Sequence, residues 1–208
     1  ARLAEQVRAG VSRASHGWSR GSTEEFAAGL LATEHRERGS ASVVGYLFHG
    51  TSDQSPTFIV AVADELDRIE QATGRLVQWG NEPGHWLLRG GERGADPVSL
   101  DPGVGVFTAM ASHPQVAREW FGVAGLDWSD PRQVVESARI EYWFGERNWS
   151  MPLSDGFATV ADVWHALRDT HDSHYVAVID NALFERLARN SSLHVTERVS
   201  AEGAHRLA

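Results

Sequence analysis

Two short segments carry the side chains best suited to chemistry. His49-Gly50-Thr51 follows the apolar run Val43-Val44-Gly45-Tyr46-Leu47-Phe48, and Gly103-Val104-Gly105-Val106-Phe107-Thr108-Ala109 stands farther along the chain. Gly50 has no Cβ to keep a ligand from the backbone, and His49 and Thr51 flank it with hydrogen-bonding side chains. That combination suits a small polar ligand, and its competing reading is a strand that ends in an ordinary turn. Glu141 and Glu146 in Glu141-Tyr142-Trp143-Phe144-Gly145-Glu146 form a carboxylate pair for acid/base work, or surface residues beside an aromatic cluster. His165, His171 and His174, with Asp169 and Asp172 between them, are ligand types for zinc or iron, but their spacing fits no defined metal motif. No metal is assigned on that basis. Trp143, Trp149 and Trp164 read as core, with a platform for a ring-shaped ligand as the alternative.

The elements that must position these groups are read from period and punctuation. Leu3, Val7 and Val11 predict an amphipathic helix over Ala1 to Ala14. Ser22-Thr23-Glu24-Glu25 predicts the cap of a second helix through about Arg36. Ser55-Pro56 opens a third, with Ile59, Val62, Ala63, Leu66 and Ile69 at helical intervals and Gly74 at its end. Val43 to Phe48, Arg75 to Trp79, His85 to Leu88, Val104 to Phe107 and Tyr175 to Ile179 predict strands. Helices are predicted at Pro114 to Phe121 and Val160 to Asp169, and Gln133 to Phe144 reads as strand or short helix. The fold class expected is α+β, with a mixed or antiparallel sheet core. A helical extension over residues 1–40 covers a catalytic-type domain over residues 41–208. The Gly, Pro and Asp-rich stretch from Gly90 to Pro102 reads as a surface loop bordering the site.

Composition removes several chemistries. The 208 residues contain no cysteine, so disulfides, thiolate metal sites and a cysteine nucleophile are excluded. All 19 basic residues are arginine, which excludes a lysine Schiff base and a P-loop lysine. A net charge of −9 argues against sequence-independent binding to phosphate backbones, because that binding depends on cations releasing counterions. No apolar run approaches the roughly 20 residues needed to cross a bilayer, so no membrane partner is expected. No signal peptide is visible, and cytoplasmic, secreted and injected locations all stay open. There is no G-x-S-x-G elbow and no G-x-G-x-x-G fingerprint.

Taken in order, His49-Gly50-Thr51, an intervening helix, the glycine-flanked Phe107 and the late apolar run at Tyr175 resemble the ADP-ribosyltransferases of the poly(ADP-ribose) polymerase-like or diphtheria-toxin-like branch. The resemblance implies NAD as substrate, with His49 on the ribose, Gly50 offering its backbone to the carboxamide, and Thr51 at the hydroxyl position beside them. Phe107 takes the place of the family's tyrosine and keeps the ring that stacks on nicotinamide. The family's glutamate ahead of the late strand is replaced here by His174. A neutral imidazole can hydrogen-bond a ribose hydroxyl but supplies no negative charge beside a developing oxocarbenium. Glu141 or Glu146 is the alternative source of that carboxylate.

A second resemblance competes. Gly80-Asn81, His85 and Leu88-Arg89-Gly90-Gly91 look like the phosphate-binding stretch of type I deoxy-heptulosonate phosphate synthases, which implies that Arg89 binds phosphate. The absence of lysine and cysteine departs from that family's catalytic and metal-binding residues. The function expected first is therefore NAD-dependent ADP-ribosyl transfer or NAD glycohydrolysis, with a bacterial toxin domain as one setting and an acceptor of unassigned class. A small-molecule enzyme using Arg89 and a non-catalytic binding or immunity-type protein are the alternatives. If the first holds, His49→Ala abolishes nicotinamide release and leaves the circular dichroism spectrum unchanged; release at the wild-type rate removes the motif assignment.

Overall fold

Ser55 followed by Pro56 starts a helix for two chemical reasons. The serine hydroxyl accepts from the Phe58 N–H at 3.2 Å, and proline at the first helical position lacks an N–H that would have no partner there. The computed structural model describes residues 2–32, 40–48, 53–73, 101–123, 130, 137–147, 149, 158–168, 177 and 180–181. Two compact units emerge, Ala1–Met110 with Met151–Ser154 and Ala111–Ser150 with Asp155–Ala208.

The first unit contains α1 (Arg2–Ser15), α2 (Arg20–Leu31), α3 (Ser40–Phe48), α4 (Pro56–Ala72) and α5 (Pro102–Ala111), the last ending at the unit boundary. Ser19, not the Ser22 group, caps α2: its hydroxyl accepts from the Ser22 N–H at 3.2 Å, so the helix begins a turn earlier than its sequence suggests. α2 packs chiefly on α4 and also touches α3, while α1 lies against α3. The apolar positions of α4 foreseen from its period, Ile59, Val62, Ala63, Leu66 and Ile69, are all buried. Ser15 closes its own helix by donating to the Ser12 carbonyl at 2.7 Å and accepts the Ser55 N–H at 3.0 Å. A buried hydroxyl thus ties the end of α1 to the start of α4, satisfying a backbone donor that burial would otherwise strand.

The second unit contains α6 (Pro114–Trp120), the single turn α7 (Ala138–Ile140) running into a π-helix at Glu141–Glu146, and α8 (Ala158–Arg168), which packs on α6. Gly122 ends α6 with φ of 73°, and the Gly122 and Val123 N–H groups donate to the Glu119 and Arg118 carbonyls at 3.1 and 2.9 Å. This is the Schellman pattern, in which a left-handed glycine turns the chain and satisfies carbonyls the helix leaves open.

The α+β expectation is overturned: the described residues are predominantly helical, and no strand occurs among them. Val43 to Phe48 is helix α3 and Val104 to Phe107 lies inside helix α5. Both are short, almost continuously apolar runs, for which period cannot separate a buried strand from a buried helix. Pro102 through Phe107 are all buried, as are Ala109 and Met110, so this helix has no polar face from which its period could be read. Asp101 and Pro102, read as the end of a loop, start α5: Asp101 Oδ1 accepts from the Gly103 N–H at 2.8 Å and Pro102 occupies the first position. Ala177, the described residue of the expected strand Tyr175 to Ile179, is also helical, and Gln133 to Phe144 ends in helix. Arg75 to Trp79 and His85 to Leu88 lie outside the described residues.

One close approach in the first unit is between backbones. A Cβ placed on Gly105 would stand 2.9 Å from Gly45 Cα, 3.2 Å from its carbonyl oxygen and 3.3 Å from Phe48 Cβ. Glycine at position 105 is therefore required by the approach of α3 and α5. Gly29 in α2 meets nothing within 4 Å and carries only the entropic cost of glycine in a helix. Opposite outcomes follow for the same substitution. Gly105→Ala is expected to destabilise by about 1–3 kcal/mol through overpacking, and Gly29→Ala to stabilise by about 0.5–1 kcal/mol; urea unfolding followed by circular dichroism measures both.

Candidate functional site

Within the first unit, Gly45 of α3 and Gly105 of α5 meet at their backbones. α3 leads directly into His49-Gly50-Thr51, and α5 carries the Gly103-Val104-Gly105-Val106-Phe107 motif against it at Gly45. His49, Gly50, Thr51, Arg89 and His174 themselves lie outside the described residues. Phe107 has 0% exposure, so no face of its ring is open to a ligand here. Gly105 faces the Gly45 backbone, which already fills the close approach that a ligand would need.

Around this crossing the side chains are aromatic. Phe48, at the end of α3, stacks on Phe58 with ring centroids 5.3 Å apart and planes at 23°. Phe58 in turn meets Trp18 edge-on at 5.6 Å and Phe26 at 5.9 Å. Each burial removes a large apolar surface from water, and the tilted contacts align ring edges with ring faces. Gln54 donates its side-chain amide to the Leu47 carbonyl at 2.7 Å, serving an acceptor in the last turn of α3. Tyr46 is half-buried under the Arg8 guanidinium, 5.6 Å from its ring centroid.

Glu141 belongs to the second unit, where it is the half-buried first residue of the π-helix, and Glu146 is the last residue of the same helix. Between them Tyr142, Trp143 and Phe144 are buried. The tryptophan cluster is core: Trp143 packs on Trp120 at 5.8 Å and on Trp149 at 6.0 Å, and Phe144 joins Phe121 and Trp164. Among the described residues no group of three histidine and carboxylate side chains is placed to hold a metal. His165 contacts the Arg168 guanidinium, whereas His171, Asp169 and Asp172 lie outside the described residues.

Arginine side chains link parts of this unit at positions that no sequence motif marks. The Arg147 guanidinium lies 4.9 Å from the Trp143 ring and 4.1 Å from the Trp149 ring, with the residue only 7% exposed. Arg139 lies 4.3 Å from the Trp120 ring and donates to the Trp120 carbonyl at 2.5 Å, placing a cation at the negative end of α6. Arg168 pairs with Asp180, which also accepts from Trp164 Nε1 at 2.7 Å. The signal was compositional: 19 arginines without a lysine, in a chain with eight tryptophans, favour the planar cation that stacks on rings. Surface pairs contribute differently. Glu24 raises the pKa of Arg20 through a hydrogen bond and its charge, as Glu65 does for Arg68, but both arginines are well exposed and solvent screens them.

No protein-family model, curated protein or solved structure matches the chain. The chemistry available is thus judged from the residues alone, and what they form most clearly is a packed aromatic and arginine interior. One hydrogen bond in it is separable. Trp149 Nε1 donates to the buried Trp143 carbonyl at 2.8 Å, serving an acceptor near the end of the π-helix. Trp149→Phe keeps a ring beside Arg147 and removes that donor, so a loss of about 1–3 kcal/mol is expected. Arg20→Ala is expected to leave the urea midpoint unchanged within error, and an equal fall in both variants would show that the buried bond carries no special weight.

Proposed function

We propose that this chain is a non-catalytic helical binding module, in which the two motif-like segments serve the fold. The observation that carries this reading is the pairing of Gly105 with Gly45 beside a Phe107 that has 0% exposure. Phe107, the residue that would have formed the stacking plate, is accounted for by helix packing. A net charge of −9, with Arg139 and Arg147 held against tryptophan rings and Arg168 paired with Asp180, favours a protein partner over a phosphate backbone.

ADP-ribosyl transfer or NAD glycohydrolysis is the second reading, and one observation favours it. Gly45 of α3, the helix that precedes His49-Gly50-Thr51 in the sequence, meets Gly105 of α5, the helix that carries Phe107. Against it stands the helical setting of both segments, since the resemblance placed them on strands of a sheet. Incubation with NAD separates the two. The binding-module reading expects no nicotinamide above the protein-free blank by chromatography and no NAD-dependent rise in melting temperature. Nicotinamide release with turnover would replace it with the enzymatic reading.

A further inference from the structure

We draw no further inference here: the strongest candidate, the half-buried cluster of Trp164, His165 and Arg168 on α8 with Asp180, directs its donors and acceptors at one another, and nothing in the structure points it at a ligand.

Discussion

Gly45 and Gly105 bring two helix backbones close enough that a single methyl group on Gly105 would collide with the opposing main chain. In the same unit Phe48 of α3 stacks on Phe58, and through Phe58 the rings of Trp18 and Phe26 join one aromatic cluster. Val44, Leu47, Val106, Phe107 and Met110 lose all or nearly all contact with water, each apolar side chain contributing about 1.5–3 kcal/mol on full burial. Among the polar groups of this interior, Ser15 accepts the Ser55 N–H and the Gln54 amide donates to the Leu47 carbonyl.

The second unit solves a related problem with different side chains. Its core holds several tryptophans, and planar guanidinium groups lie over their rings. Arg139 combines two roles at the end of α6, stacking on Trp120 and meeting its carbonyl. A lysine would supply the charge without the flat face, so the preference for arginine has a structural use at these positions. The π-helix widens the turn that presents Tyr142, Trp143 and Phe144, and the indole of Trp149 serves a carbonyl there.

Long helices with capping chemistry were legible in the sequence. The period of α4 and its Ser55-Pro56 start marked both its existence and its buried face, and the Leu3, Val7 and Val11 spacing marked α1. The short apolar runs were not legible. Val, Gly and aromatic residues in Val43 to Phe48 and Val104 to Phe107 satisfy strand propensity, yet tertiary burial overrides propensity when neighbouring helices enclose the segment. The Asp101-Pro102 cap was the local signal that separated helix from strand in the second run. It was obscured by the Gly and Pro-rich stretch preceding it. For the candidate site, the enclosure of Phe107 was not anticipated. Nothing in a glycine-flanked aromatic distinguishes a plate for a ligand from a residue packed between helices.

The contact between Gly45 and Gly105 is open to direct observation by solution NMR of the intact chain, with backbone assignment of residues 43–48 and 103–110. If the two helices cross at these glycines, Cα shifts are helix-type across both segments and a nuclear Overhauser contact joins the Gly45 and Gly105 α-protons. Strand-type shifts at Val43 to Phe48 and Val104 to Phe107, with no contact between the two glycines, would contradict the helical crossing and the function inferred from it.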